Sequence, residues 1–183
     1  MKVGVVGNPR YRDLKAVLEH VAQVAPAKGI SLLCEERLCS VWSREVPPLE
    51  HAEVDALLTF GGDGTLLRGA RLLGGRETPI LGVNFGRVGF LTTATRETLD
   101  PALDALVAGR YITERRQALT AAIRDGQGHE RSSQMAVNDV AVHKGGVARV
   151  VRVNVFINGE NVGPPLTRST RLTRLFQSSV SHQ

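Results

Sequence analysis

The sequence has few cysteines, few aromatic residues and no long apolar run. Its two cysteines, Cys34 and Cys39, have no His or Cys cluster beside them, which argues against a metal site. No run of about 18 apolar residues occurs, so a membrane-spanning helix is excluded. The first residues include Gly4, Gly7 and Pro9, which predict a strand and a turn and not a signal peptide. We therefore expect a cytoplasmic protein with two reduced thiols and no disulfide.

The positive charge of the chain does not point to nucleic acid. The formal net charge is +5, but residues 161–183 contain three arginines and no acidic residue, which leaves +2 for residues 1–160. None of the eight aromatic residues interleaves with a basic run, which is the pattern of many single-strand binders. A small, phosphate-rich ligand needs only a few local cations. We therefore expect a small-molecule ligand and neither nucleic acid nor a membrane as a partner.

The first 110 residues alternate between strand and helix patterns. Apolar strand patterns at 2–6, 30–35, 54–60 and 79–84 are separated by helical spacing at 13–25, 65–73 and about 98–108. The run at 54–60 is mostly apolar, as expected for a strand that is buried on both faces. This alternation predicts an α/β nucleotide-binding domain over residues 1–110, with a parallel sheet. Asp13 is expected to cap the first helix, and Thr95 or Thr98 the third.

The pattern changes after residue 110. Strand patterns at 119–124, 134–143 and 150–157 are separated by Gly-rich or Asn-Gly turns, which predicts antiparallel β structure. We expect this β-rich domain, over residues 111–160, to be incomplete, because the pattern stops before the domain can close. Residues 161–183 are rich in Ser, Thr and Arg, so we expect a poorly ordered tail or a weak helix near 168–176.

The segment Gly61-Gly-Asp-Gly-Thr65 follows the buried strand and opens a helix. Ligands of parallel α/β sheets bind outside the carboxyl ends of the strands, where glycines allow positive φ and leave room for a phosphate. Backbone N–H groups at the start of the helix favour an anion. Asp63 in such a site is explained if it accepts a proton from a hydroxyl or helps to hold a metal. The alternative is a tight turn in which Asp63 only caps the helix.

Two further segments carry polar or glycine-rich patterns. Gly82-Val-Asn-Phe-Gly-Arg-Val-Gly-Phe-Leu91 also follows a strand, so the two glycine-rich turns can converge, unless both are ordinary loops. Asn138 and Asp139 lie inside an alternating β pattern, although both residue types disfavour strands. This pair indicates either a turn or bulge, or recognition of ribose hydroxyls or an amide.

Together the three segments resemble the NAD kinase family. The matching residues are Gly61-Gly-Asp-Gly-Thr65 with Leu67-Arg68, the segment Gly82–Leu91, and Val137-Asn-Asp-Val140 before His143 and Gly145. Their order and spacing also match, and the resemblance covers roughly residues 2–160. Gly-Gly-Asp-Gly-Thr alone is shared with lipid kinases and, loosely, with phosphofructokinases. The combination of the three segments is what points to NAD kinases.

The resemblance implies phosphoryl transfer from ATP, or in some members polyphosphate, to the 2′-hydroxyl of the adenosine ribose of NAD. It also implies assistance by a divalent metal, Mg²⁺, and a homo-oligomer. Asp63 matches the proton acceptor of the family. Substrate-binding positions match Gly64, Arg68, Phe90, Asn138, Asp139 and Arg149, and phosphate-loop positions match Gly61, Gly62 and Thr65. Among these, Phe90 matches a residue near the adenine, and Arg149 has the alternative of being a solvated strand residue.

The sequence departs from the family after about residue 160. NAD kinases continue with an Asp-Gly pair, a Thr-Pro-Thr-Gly-Ser-Thr-Ala-Tyr-like segment and further strands, and residues 161–183 contain none of these. We therefore expect an NAD kinase that is truncated or frameshifted after about residue 160. The two competing hypotheses are an inactive nucleotide-binding or scaffold fragment, and a lipid or sugar kinase of the same superfamily.

Overall fold

The computed structural model describes residues 1–49, 53–86, 90–137, 139–142, 152–161, 166–167 and 170–173. The chain divides into two compact units, Met1–Glu114 and Arg115–Gln183. This division lies close to the boundary expected near residue 110. The identification of the two units as a nucleotide-binding and an NAD-binding domain stays a prediction.

The first unit contains a five-stranded parallel sheet. In chain order its strands are β1 (Lys2–Gly7), β2 (Ser31–Cys34), β3 (Ala56–Gly61), β4 (Ile80–Asn84) and β5 (Ala94–Thr95). In space the order is β2-β1-β3-β4-β5, and every neighbouring pair is parallel. All six residues of β3 are buried, which is the reason for its nearly continuous apolar sequence. The predicted parallel α/β sheet is therefore present.

Three helices, α1 (Leu14–Val24), α2 (Asp63–Leu73) and α3 (Leu99–Val107), cover the sheet. A large apolar cluster contains buried residues of α1 and α3, such as Leu18 and Leu103, together with Val5 and Phe60 of the sheet. A smaller cluster contains Leu73 of α2 with strand residues that alternate with those of the large cluster. Because successive strand residues point to opposite faces, the two clusters lie on the two faces of the sheet.

The expected helix caps are wrong in their chemistry, although the positions are right. Asp13 and Thr98 occupy the residues before α1 and α3, but neither side chain makes a capping hydrogen bond. The carboxylate of Asp13 instead pairs with Arg96, at 2.6 Å between Oδ2 and Nη1. The hydroxyl of Thr98 accepts a hydrogen bond from the backbone N–H of Thr95. In both cases a partner outside the helix competes successfully for the capping oxygen.

The second unit is built from short pairs of antiparallel strands, as predicted for a β-rich segment. A hairpin joins β6 (Leu119–Arg124) to β7 (Glu130–Ala136). The other strands are β8 (Asp139–Val142), β9 (Arg152–Val153), β10 (Phe156–Ile157), β11 (Glu160–Asn161), β12 (Leu166–Thr167) and β13 (Thr170–Thr173). β8 pairs with β13, β9 with β12 and β10 with β11, all antiparallel.

Three expectations for this half need correction. The single strand expected at 134–143 is two strands, β7 and β8, of which β7 begins at Glu130. The single strand expected at 150–157 is likewise two strands, β9 and β10, where the structure describes it. The weak helix expected near 168–176 is wrong where the structure describes that segment, because Thr170–Thr173 is a strand. Its two threonines are β-branched, which favours extended backbone, and its pairing with β8 satisfies backbone hydrogen bonds that a tail by itself would leave to water.

Among the described residues, none of the helices has both the length and the apolar character that crossing a membrane requires.

Candidate active site at the carboxyl ends of the parallel strands

The carboxyl ends of β1, β3 and β4 lie side by side. Gly7 at the end of β1 is in register with Phe60, and Gly61 at the end of β3 is in register with Asn84. Backbone hydrogen bonds continue the alignment past the strands, since the N–H of Phe85 donates to the carbonyl of Gly61 at 3.1 Å. The loops that follow three different strands therefore meet at one edge of the sheet, where parallel α/β proteins bind ligands.

The Gly61–Thr65 turn needs glycine at position 61 for space, and none of its three glycines for positive φ. None of Gly61, Gly62 and Gly64 has a positive φ, so that part of the expectation is wrong. A Cβ on Gly61 would lie 2.8 Å from the Cβ of the buried Thr65 and closer still to its Oγ1, which only glycine avoids. A Cβ on Gly62 or Gly64 would meet no atom of the described residues within 4 Å. The turn is therefore closely packed at Gly61 and has free space beside Gly62 and Gly64, at the N-terminus of α2.

Substituting Gly61 by Ala is expected to lower the free energy of unfolding by about 1–3 kcal/mol, because the new methyl group overlaps Thr65. Gly64→Ala is the matched control: it adds the same methyl group in open space and within a helix, where Ala is favoured by up to about 1 kcal/mol. Chemical denaturation followed by the fluorescence of Trp42, the single tryptophan, measures both variants. Equal stability of the two variants would contradict the close contact with Thr65.

Asp63 joins the two glycine-rich segments. It is the first residue of α2, and its side chain does not cap the helix; the capping position belongs to Gly62. Its carboxylate oxygens instead accept two backbone hydrogen bonds from the loop after β4, one from the N–H of Phe90 at 2.9 Å and one from the N–H of Leu91 at 3.1 Å. The predicted convergence of the two segments is therefore observed, and Asp63 is the residue through which they meet.

Arg68 lies further along α2 and contacts the ends of two strands. Its Nη2 donates to the carbonyl of Gly7 at 2.6 Å and to Oε2 of Glu35 at 2.8 Å. The Arg68 side chain is 28% exposed, and its Nε is buried without a hydrogen-bond partner among the described residues. The protein therefore holds the guanidinium through Nη2, while a minor part of the side chain stays exposed.

Glu35 is a site residue that the sequence patterns did not reveal. It directly follows β2, its backbone N–H donates to the carbonyl of Val5, and its side chain is only 8% exposed. A buried carboxylate requires a partner, which Arg68 provides. The available signal was an acidic residue immediately after an apolar strand, at the same edge of the sheet as the glycine-rich turns.

A small aromatic cluster holds the loop after β1 against the loop after β4. The ring of Phe85 lies 5.6 Å from that of Tyr11 and 6.1 Å from that of Phe60, between ring centroids. The guanidinium of Arg96 lies over the Phe85 ring at 5.5 Å and also pairs with Asp13. These contacts stabilise the base of the loop that carries Phe90, whose own side chain is 92% exposed.

The remaining predicted site residues belong to the second unit. Asn138 and Arg149 lie outside the described residues. Asp139 begins β8, where its backbone pairs with Thr173. The structure thus brings together Gly61, Gly62, Asp63, Gly64, Thr65, Arg68 and the backbone of Phe90. The functions predicted for these residues, and for the three of the second unit, stay predictions.

The described residues include no preformed metal cluster. Within the described ranges, no group of three or more His, Cys, Asp or Glu side chains could hold a metal ion. An open groove of about 970 Å³ does lie between α1 and α3, lined by residues that include His20, Lys28 and Asp104. Lys28 precedes β2, so this groove lies toward the amino ends of the strands and apart from the convergent loops.

Sequence comparisons give the family of this chain. The family described as the ATP-NAD kinase N-terminal domain matches residues 3–111. The NAD kinase of Gemmatimonas aurantiaca is 44% identical over 163 residues, which are 89% of this chain and 56% of that protein. The NAD kinase of Geobacter metallireducens is 44% identical over 119 residues, 65% of this chain and 40% of that protein. The chain therefore spans about half the length of the curated relatives that it matches.

Solved structures agree in fold. The crystal structure of yeast NADH kinase complexed with NADH has a TM-score of 0.74 at 18% identity, over 94% of this chain and 55% of that chain. An NAD kinase from Archaeoglobus fulgidus in complex with ATP has a TM-score of 0.63 at 23% identity, over 92% of this chain and 58% of that chain. These likenesses confirm the predicted fold class. With the family match over more than half of its length, the chain belongs to the NAD kinase family.

Proposed function

We propose that this chain carries the catalytic base and the phosphate loop of an NAD kinase, an enzyme that transfers the terminal phosphoryl group of ATP, or of polyphosphate, to the 2′-hydroxyl of the adenosine ribose of NAD and gives NADP. The observation that carries the proposal is the carboxylate of Asp63, which lies between an open, glycine-lined helix N-terminus and the loop after β4. The relatives are named NAD kinases, which favours this reaction over phosphorylation of a lipid or a sugar.

Asp63 is suited to accept the proton of the attacking hydroxyl. A ribose hydroxyl is a weak nucleophile, and a base that takes its proton as the new P–O bond forms contributes about 10²–10⁴-fold to the rate. The two backbone hydrogen bonds hold the carboxylate in one position. Each carboxylate oxygen has a second lone pair, so an oxygen that already accepts one N–H still accepts a hydroxyl proton. The carboxylate is therefore both positioned and available.

The open space above Gly62 and Gly64 suits the phosphates of the donor. No described side chain lies within 4 Å of the Cβ positions of these two glycines, and the space faces the N-terminus of α2, where backbone N–H groups and the helix dipole favour negative charge. A phosphate can approach the backbone closely there. In this proposal Gly61, Gly62 and Thr65 shape the phosphate loop, and Gly64 lies against the substrate.

The residues present fit a divalent cation that is carried mainly by the substrate phosphates. Mg²⁺ keeps several waters and takes one or two carboxylates together with phosphate oxygens. Asp63 is the carboxylate at the turn that can serve in this way. When bound, the cation offsets the negative charge of the transferring phosphoryl group.

NAD recognition is proposed to use the residues that the family resemblance indicates. The exposed ring of Phe90 offers a flat apolar face for the adenine, next to the backbone N–H that fixes Asp63. Arg68 has further N–H donors beyond the two hydrogen bonds made by its Nη2. Asn138, Asp139 and Arg149 are proposed to supply the remaining contacts. The family further suggests a homo-oligomer.

The 183 residues alone are expected to form little or no NADP from NAD, ATP and Mg²⁺. They correspond to only 56% of the Gemmatimonas aurantiaca NAD kinase, and the family segment that would close over the nucleotide is not among them. An NADP-specific dehydrogenase assay measures the product. Robust NADP formation by the well-folded 183-residue chain would show that residues 161–183 replace the missing segment.

The proposed function itself is tested in an extended chain, in which residues 1–160 are followed by the C-terminal remainder of the Gemmatimonas aurantiaca NAD kinase. We expect this extended chain to convert NAD to NADP, and parallel assays with ATP and polyphosphate identify the donor. A folded extended chain that binds NAD and ATP but forms no NADP would support the inactive binding protein instead.

A further inference from the structure

The two cysteines lie on either side of one short turn. Cys34 is the last residue of β2, and Cys39 directly follows a 3₁₀ turn, Glu36–Leu38. Both thiols are free, and their sulfur atoms lie 3.8 Å apart. A disulfide has a sulfur–sulfur distance of about 2.05 Å, so an approach of about 2 Å would join them.

The two thiols differ in their access to solvent. Cys34 is fully buried, and its Sγ donates to the carbonyl of Val46 at 3.6 Å. Burial, with the hydrogen bond to Cys39 as the second cause, raises the pKa of the Cys34 thiol to about 12. Cys39 is exposed. An oxidant from solvent therefore reaches the sulfur of Cys39 first, because the sulfur of Cys34 is buried.

Neither metal binding nor the proposed kinase reaction accounts for the two thiols. A metal ion would need further ligands, and the described part of the chain includes no group of three or more side chains that could hold one. The described hydrogen bonds of the two thiols join them to each other and Cys34 to Val46, and the proposed phosphoryl transfer uses neither thiol. Solvent exposure and a second thiol within 3.8 Å are two of the features of redox-sensitive cysteine pairs.

We propose that Cys39 and Cys34 form a peroxide-sensitive pair, in which Cys39 is oxidised and Cys34 resolves it into a reversible intramolecular disulfide. The Cys39 sulfur attacks the O–O bond of a peroxide, which gives a sulfenic acid and releases one water from hydrogen peroxide. The Cys34 sulfur then attacks the Cys39 sulfur, and the hydroxyl leaves with the Cys34 proton as a second water. The two thiols lose two electrons in total, and the peroxide gains them.

The disulfide would lie next to Glu35, the residue that pairs with Arg68. Glu35 is the residue directly after Cys34 and lies inside the loop that the bond would close. Trp42 is buried in the same apolar cluster as Cys34 and follows Cys39 by one turn. Oxidation is therefore expected to change the fluorescence of Trp42. The proposal does not depend on the phosphoryl-transfer function.

Trypsin tests the proposal, because it cleaves after Arg37, between the two cysteines. The reduced 183-residue chain is treated with stoichiometric hydrogen peroxide, alkylated without reduction and digested. We expect the main product to be peptides 29–37 and 38–44 joined by a disulfide, which dithiothreitol separates. The mass of the intact oxidised chain should be lower by two hydrogens, about 2 Da.

Two variants serve as controls. Cys34→Ser should leave the sulfenic acid of Cys39 without a resolving thiol, so that dimedone traps it. Cys39→Ser, a change at an exposed position, should leave Cys34 unmodified by the same treatment. Sulfenic or sulfinic acid at Cys39 of the unsubstituted chain without linkage to Cys34, or linkage of Cys39 between two chains, would overturn the proposal.

Discussion

Replacing Asp63 by Asn in the extended chain is expected to lower the rate of NADP formation by about 10²–10⁴-fold, the usual contribution of a positioned base. The amide cannot take the proton of the ribose hydroxyl. It also changes the local hydrogen bonds, because the carboxylate accepts from the N–H groups of both Phe90 and Leu91. An Asn side chain has one acceptor oxygen, and its NH₂ group would face the second backbone donor.

The structure thus adds a binding effect to the catalytic one. Loss of one hydrogen bond to the loop after β4 is worth about 0.5–1.5 kcal/mol, so we expect NAD affinity to fall several-fold while turnover falls much further. Calorimetry measures the first quantity and initial rates the second. Asp104→Asn is the matched control, since Asp104 lies in α3 in an exposed ion pair with Lys28 and should leave both quantities unchanged. Near-normal turnover of Asp63→Asn would limit Asp63 to positioning the loop.

The sheet and its helices could be predicted because their signals are local. The apolar run of β3 and the helical spacing of apolar residues in α1 each predict which residues are buried. The glycine-rich turn predicts where β3 ends and α2 begins. β5 was missed because its two residues are too few for any periodicity. The strand β13 was missed because it exists through its pairing with β8, about thirty residues away, and a polar segment by itself does not reveal that partner.

The convergence of Asp63 with the loop of Phe90 could be predicted from the sequence, but the contacts between them could not. The sequence placed Asp63 and the loop of Phe90 at neighbouring strand ends, because parallel strands end at one edge. It did not indicate that the backbone N–H groups of Phe90 and Leu91 would meet the carboxylate, since that depends on the path of the loop. Of the two reasons given for the glycines, positive φ is wrong. The proximity of Thr65 to Gly61 is a tertiary contact, which φ preferences do not encode.

Glu35→Ala is expected to destabilise the first unit by about 3 kcal/mol, because it leaves the guanidinium of Arg68 without its partner in a largely buried position. Denaturation followed by Trp42 fluorescence measures this, since Trp42 is buried in the same unit. Asp13→Asn is the matched control: the Asp13–Arg96 pair is as short, at 2.6 Å, but its side chains are 66% and 43% exposed, so the loss should stay within about 1 kcal/mol. The double variant Glu35→Leu with Arg68→Met removes both charges and should recover much of the lost stability, because similar apolar side chains in place of a buried pair are often neutral. If Glu35→Ala costs no more than Asp13→Asn, the 2.8 Å contact does not anchor Arg68, and the position of its guanidinium depends on the carbonyl of Gly7 instead.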